Sequence, residues 1–221
     1  MKKILSLVLC LVLSGTALSG CSNGGEPFEK KSYTPDRRIN AISLAVRDRE
    51  IVVSLSEDEQ VHIQYYENSK EQYEIFISDE NVLTMESASD KDWTDYIGRK
   101  PSAENRKISL RIPDALLDNV TLSTTNEDIT LSALAVTGSI NLSSNGGNIV
   151  FDSLDAGSAL TLTVKNGNIT GTIVGGYDDF AIQCRIKKGD CNLPESKDGG
   201  RKTLNVAGNN GDIDIAFVRE K

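Results

Sequence analysis

The chain contains very little of what catalytic and metal sites are usually built from. Its 221 residues include one histidine, His62, and one tryptophan, Trp93, and aromatic residues make up only 5% of the sequence. Period-two alternation around His62 places that side chain on the polar face of a strand. A histidine-based metal site or a Ser-His-Asp triad would rest on this residue alone. We therefore expect no enzymatic activity, no cofactor and no metal site.

Basic clusters are also missing. The chain has 24 basic and 32 acidic residues, a formal net charge of −8. The first twenty residues hold two lysines and no acid, so the chain without them carries −10. Because phosphate binding needs grouped lysine and arginine side chains, the sequence predicts no nucleic-acid partner.

Long apolar runs are absent after the N-terminus. The run Ile4–Val12 follows Lys2 and Lys3, and it has the length of a signal-peptide core rather than of a membrane span. Leu18-Ser19-Gly20-Cys21 then looks like a bacterial lipobox. A small residue precedes the cut, and the thiolate of the cysteine that follows takes the diacylglyceryl group. An ordinary secretory signal with a nearby cysteine is the alternative.

These features predict an exported lipoprotein of the bacterial cell envelope. Residues 1–20 would be the signal peptide, and Cys21 would be the lipidated N-terminus, which makes the membrane a partner through the lipid. Residues 21–38 are small, polar and charged, which is typical of a flexible tether. The folded domain is then predicted to span 39–221.

A repeat organises the second half of the chain. Five segments align without gaps, and their first residues are 20, 20, 22 and 22 positions apart. They begin at Val120, Ile140, Leu160, Ile182 and Leu204. Their ninth positions hold Asp128, Asn148, Asn168, Asp190 and Asp212, and their tenth positions hold Ile129, Ile149, Ile169, Cys191 and Ile213. Four of the five have glycine at the eighth position, and a fainter copy occurs at 42–53.

The repeat predicts an all-β fold. Each half of a unit alternates as a half-buried strand does, and glycine with asparagine or aspartate supplies a tight corner between the halves, where φ can be positive. Stacking would also align these corner residues, and asparagine there can hydrogen-bond up and down the stack. Units of 20–22 residues favour a β-solenoid, a single-stranded parallel β-helix-like stack in which the tenth positions form one internal ladder. The alternative is an antiparallel meander or sandwich, because a strand-NG-strand pattern also indicates a hairpin.

These repeats resemble a known family. Ile108-Ser109-Leu110-Arg111-Ile112-Pro113, the following Val120-Thr121-Leu122 and the recurring Asn-Gly-Asn/Asp-Ile are similar to the bacterial "putative adhesin" family of unknown function. The resemblance covers roughly residues 39 to 218. It implies a β-solenoid-like fold and an exported or membrane-attached protein, and it implies no activity.

Two cysteines occupy inward positions of one unit. Cys184 and Cys191 stand where the preceding unit has Leu162 and Ile169. In an exported protein they could form a disulfide, and they could equally be two buried thiols that act as small apolar side chains.

The outward positions of the first three units are small, uncharged and polar. They are Thr121, Ser123, Asn141, Ser143, Thr161 and Thr163. Such a row is a solvated sheet face or an adhesive one. Trp93, in a polar insert, is a further candidate for recognition, although capping the core is the other role open to it. The aspartates at the corners could suggest calcium, but turn chemistry explains them.

The sequence favours a lipid-anchored, non-enzymatic envelope protein whose repeats present a surface to an unknown envelope or surface ligand. One alternative is an accessory of envelope stress or assembly with a protein partner. Another is a β-helical carbohydrate-active enzyme, which would require convergent carboxylates in a cleft.

Overall fold

The strands that the structure describes form two nine-stranded sheets around one hydrophobic core. The structure, a computed structural model, describes residues 26–89 and 100–219. The predicted signal peptide, Cys21 and Trp93 lie outside the described residues. No helix within the described ranges is long and apolar enough to cross a membrane.

Sheet 1 holds the second strand of most units. In spatial order its strands are β1 (Glu29–Tyr33), β4 (His62–Glu67), β7 (Lys107–Ile112), β3 (Glu50–Leu55), β9 (Ile129–Leu131), β12 (Ile149–Ala156), β14 (Ile169–Val174) and β18 (Ile213–Val218), with β10 (Leu134–Val136) also paired to β12.

Sheet 2 holds the first strand of each unit. In spatial order its strands are β16 (Ser196–Lys197), β15 (Phe180–Lys188), β17 (Lys202–Asn210), β13 (Ala159–Asn166), β11 (Ser139–Ser144), β8 (Asn119–Thr124), β2 (Ala41–Ala45), β6 (Val82–Ser89) and β5 (Glu71–Ile77). The prediction of an all-β chain is confirmed, and both sheets are mixed.

Strands from successive repeats pair in parallel and in register. Ile140 lies between Val120 and Leu160 in sheet 2, and Ile149 lies between Ile129 and Ile169 in sheet 1. The inward aliphatic side chains of both sheets are buried together in one cluster. This pairing excludes an antiparallel meander for the repeats.

The spatial order of the units differs from their order in the sequence. The last unit, β17–β18, lies between β13–β14 and β15, so Ile213 stands between Ile169 and Cys191 in the ladder. The ladder of tenth positions therefore departs from chain order at this point. The first unit, β2–β3, is likewise placed inside, between β8–β9 and the strands β6 and β7.

Side chains at the corner form the predicted stack of hydrogen bonds. The backbone N–H of Asn148 donates to Asp128 Oδ1 at 2.7 Å, and that of Asn168 donates to Asn148 Oδ1 at 2.9 Å. The N–H of Asp212 donates to Asn168 Oδ1 at 2.8 Å, and the N–H of Asp190 donates to Asp212 Oδ1 at 2.9 Å. Asp128 and Asp212 therefore accept hydrogen bonds from the neighbouring unit.

Glycine at the eighth position is required by close packing of the backbone. A Cβ on Gly167 would lie 2.2 Å from the carbonyl oxygen of Gly147, and one on Gly211 would lie 2.1 Å from that of Gly167. Gly211 also has a positive φ of 132°, whereas Gly167 has no positive φ. A positive φ, the reason that the sequence suggested for glycine at this position, therefore applies to only some of the eighth-position glycines.

The predicted tether is shorter than the sequence suggested. Residues 29–33 form β1, which pairs antiparallel with β4 at the margin of sheet 1. The prediction of a flexible tether as far as residue 38 is wrong here, because Tyr33 packs against the core and so offsets the cost of ordering a charged segment.

Candidate functional site

The six small polar residues predicted as a binding face lie together on sheet 2. Parallel pairing places Thr121, Asn141 and Thr161 in one row across β8, β11 and β13. Ser123, Ser143 and Thr163 form a second row two residues further along. We call these six residues the polar face.

The polar face carries no charged side chain. Five of its side chains are half-buried by their neighbours and Thr163 is exposed. Asn141 Nδ2 donates to Thr121 Oγ1 at 3.5 Å, so neighbouring strands are also joined by a side-chain contact within the first row. Ser43 and Asn205 extend the first row on either side. Hydroxyls and amides at strand spacing can bind sugar hydroxyls, but the geometry alone assigns no ligand.

The other predicted site residues divide into two groups. Cys21 and Trp93 lie outside the described residues. Cys184 and Cys191 lie at the C-terminal margin, where they line a cleft of about 640 Å³ next to β15.

The two cysteines are close together as free thiols. Their sulfur atoms are 3.0 Å apart, Cys184 is buried and Cys191 is half-buried. Burial, together with the hydrogen bond shared with Cys191, raises the pKa of Cys184 to about 12. Cys184 therefore stays protonated at neutral pH, and the more exposed Cys191 is the thiol through which this pair would react.

His62 has partners that the sequence did not reveal. Its Nδ1 lies 2.9 Å from the Thr34 hydroxyl, and its Nε2 lies 2.9 Å from Asp58 Oδ1. The hydrogen bond from His62, with further ones from Ser56 and the Gln60 N–H, lowers the pKa of Asp58 to about 2. A hydroxyl, an imidazole and a carboxylate in series are also the parts of a nucleophile triad. Here they tie together the end of β1, the turn after β3 and the start of β4.

A buried arginine joins the first unit to the neighbouring hairpin. Arg49 is only 3% exposed; its Nε donates to the Tyr73 hydroxyl at 2.6 Å and its Nη2 donates to the Glu71 carboxylate. Burial raises the pKa of Tyr73 and keeps it a neutral phenol. Sequence reasoning missed this contact, because nothing in the chain near Arg49 signals its partners, which lie more than twenty residues away.

The two sheets, the in-register repeats and the corner stack define an all-β repeat protein. Within this class the chain belongs to the Toastrack DUF4097 family, whose pattern it matches over residues 39–220. The predicted resemblance to the "putative adhesin" proteins is thereby confirmed. No curated protein matches the chain in sequence.

A solved structure shares the fold at low sequence identity. A "putative cell adhesion protein" from Clostridium sporogenes ATCC 15579 superposes with a TM-score of 0.59 at 11% identity, covering 86% of this chain and 100% of that one. A "putative adhesin" from Bacteroides fragilis NCTC 9343 gives 0.38 at 14% identity, covering 88% and 98%. The first is a likeness of fold, and the second superposes too loosely to support an argument.

Proposed function

We propose that this protein is a lipid-anchored, non-enzymatic component of a bacterial cell envelope that uses its sheet surface for binding or adhesion. The lipobox ending at Cys21 supports the anchor, and the crystal structure described as a "putative cell adhesion protein" shares the fold. The polar face is the observation that carries the binding role, because two in-register rows of uncharged hydroxyls and amides suit a hydroxyl-rich ligand.

We interpret the two sheets as the walls of a β-solenoid with 20–22 residues per coil. Parallel pairing one repeat apart and the shared corner stack support this interpretation. A solenoid would hold the polar face rigid, so little conformational entropy would be lost when a repetitive ligand binds along it.

The anchor is tested by replacing the cysteine that would carry it. Cys21→Ser should abolish incorporation of a labelled fatty acid and release the protein from the membrane fraction. Cys10→Ser, in the same segment, is the matched control and should change neither. Membrane retention of the Cys21→Ser protein would contradict the anchor.

The polar face is tested by placing charge on it. Thr121→Glu with Thr161→Glu would put two carboxylates in the row, and Thr130→Glu with Thr170→Glu would put the same two charges on the outward side of sheet 1. In-cell crosslinking of the lipidated protein, followed by mass spectrometry, should lose captured glycan or wall material only with the first pair. Equal capture by both variants would contradict a role for this face.

A second candidate function is an envelope-stress or assembly accessory with one protein partner. Phe76 is 50% exposed on the edge strand β5, so a partner protein could contact its apolar ring there. In this case the crosslinking experiment would capture one dominant protein, and Phe76→Ala or Trp93→Ala, rather than charge on the polar face, would abolish the capture.

A further inference from the structure

A cleft at the C-terminal margin collects basic side chains that are separated in the sequence. Its volume is about 450 Å³, and its charged lining residues are Asp155, Asp179, Arg201, Lys202 and Arg219. That volume holds a group of several atoms rather than a single small ion.

Two of the three cations have no acidic partner. Among the described residues, Lys202 Nζ lies 2.9 Å from Asp155 Oδ1, whereas Arg201 and Arg219 form no ion pair. Both arginines are exposed to solvent. Because a guanidinium presents a planar fork of donors that matches phosphate oxygens, two free forks beside one cleft favour a phosphate group.

The backbone near Arg219 leaves room for its guanidinium. At Gly176, the position that a Cβ would occupy is only 3.2 Å from Arg219 Nε and 3.2 Å from Asp179 Oδ2. The N–H of Gly176 donates to that same Asp179 oxygen at 2.7 Å, so this carboxylate already has a partner. The absence of a side chain at Gly176 therefore lets Arg219 lie against the cleft wall.

The two carboxylates narrow the chemistry of the ligand. Asp155 and Asp179 would repel a bare anion, but their oxygens can accept hydrogen bonds from hydroxyl groups. A ligand that carries both groups could bind all of these side chains, its phosphate to the arginines and its hydroxyls to the two aspartates. We propose that this cleft binds one unit of a phosphate-bearing sugar or polyol polymer.

The position of the cleft favours a polymer over the phosphates of the anchoring bilayer. The chain enters the fold at β1, and β14, which ends at the cleft, lies six strand spacings away, roughly 29 Å. This is several times the Debye length of about 8 Å at physiological salt, so bilayer phosphates near β1 would be screened. The choice of a polymer over the bilayer is the only part of this inference that rests on the proposed anchor. The cleft is also distinct from the polar face.

The test measures binding of three probes to the purified full mature chain in an uncharged detergent. The probes are a poly(glycerol phosphate) oligomer, an uncharged dextran, and vesicles of phosphatidylglycerol with phosphatidylcholine. We expect the oligomer to bind in a salt-sensitive manner and dextran not to bind. Arg201→Gln with Arg219→Gln should weaken oligomer binding about tenfold or more, because charge-assisted hydrogen bonds are lost.

Lys165→Gln with Arg185→Gln removes the same charge from exposed positions elsewhere and should keep the wild-type affinity. The single variant Arg201→Gln should lose part of the affinity, and it provides the test if the double variant does not fold. Unchanged affinity in the cleft variants, equal loss in the control, or equal binding of dextran would overturn the proposal. Stronger binding to the vesicles, lost in the cleft variants, would overturn the assignment to a polymer. None of these readouts requires lipidation or the polar face, so this inference and the proposed function fail separately.

Discussion

The central repeats, residues 119–174, and the two margins of the stack are held together by different interactions. In the centre, uncharged rows of aliphatic, hydroxyl and amide side chains repeat every 20 residues. At the margins the contacts are individual: Arg49 with Glu71 and Tyr73, His62 with Asp58, and Lys202 with Asp155. Every ion pair among the described residues has at least one member outside the central repeats.

The difference follows from what each region must do. A central unit only has to pair with the next unit. Because neighbouring units have the same pattern of residues, their strands pair in register without any further contacts. A margin has to stop the pairing, because an open sheet edge invites other strands. Antiparallel strands form three of the four sheet edges: β1 with β4 in sheet 1, and β5 and β16 in sheet 2. The fourth edge is β18, which pairs in parallel with β14.

The largest effect is expected at the N-terminal margin. Arg49→Met removes one partner of a buried ion pair and should lower the free energy of unfolding by about 3 kcal/mol or more, because the Glu71 carboxylate, 13% exposed, loses its guanidinium. Arg185→Met, exposed on β15, should change it by less than about 0.5 kcal/mol. Chemical denaturation gives both values. Similar small losses would show that this margin does not depend on the buried pair.

In the centre, adding a methyl group at a corner glycine should push two neighbouring units apart and destabilise the fold. Gly167→Ala should lower the free energy of unfolding by about 2–3 kcal/mol, because its Cβ would meet the Gly147 carbonyl. Gly208→Ala is the matched control: its Cβ would lie 3.6 Å from Ile213 and 3.7 Å from Val164, which are ordinary contacts. It should be neutral or stabilise by about 0.5 kcal/mol. Equal losses in the two variants would mean that close packing at the corner is not what requires glycine.

At the C-terminal margin we propose that Cys184 and Cys191 form a disulfide after export. Oxidised glutathione would take two electrons and two protons from the two thiols and leave as two reduced molecules. Bonding should raise the free energy of unfolding by about 2 kcal/mol, since the loop between the sulfurs is short. Mass spectrometry after alkylation, with and without reductant, reports the bond, and Cys184→Ala with Cys191→Ala should be insensitive to reductant. Two alkylated thiols after oxidation would contradict the proposal.

The smallest effect is expected for the solvent-exposed contact between His62 and Asp58. The pKa of Asp58 is lowered in the folded state from 3.8 to about 2, so its stabilisation is present above about pH 4 and is lost as the pH falls through 2. The difference in unfolding midpoint between the wild type and Asp58→Asn should therefore be constant near neutral pH and shrink between pH 4 and pH 2. Asp152→Asn, exposed on β12, should show no such change. A difference in unfolding midpoint that does not depend on pH would show that the contact between His62 and Asp58 does not stabilise the fold.

Much of the centre could be predicted from the sequence, and little of the margins. The inward Ile129, Ile149 and Ile169 and the corner Asn148 and Asn168 follow from local alternation and turn chemistry. The strand at 29–33 was missed because its residues are mostly charged and it is stabilised by pairing with β4. The partners of Arg49 and His62 were missed because each contact joins segments whose distance in the chain carries no pattern.

The sequence by itself determined that the chain is all-β, which side chains face inward, and where the corners fall, because each depends only on residues a few positions apart. Only the tertiary structure decided that the last unit, β17–β18, lies inside β15 and that the dispersed Arg201, Lys202 and Arg219 line one cleft. The physical reason is that similar repeat edges pair almost equally well with one another. Their order is therefore chosen by the connections and by the need to end the stack, and neither can be read from a single unit.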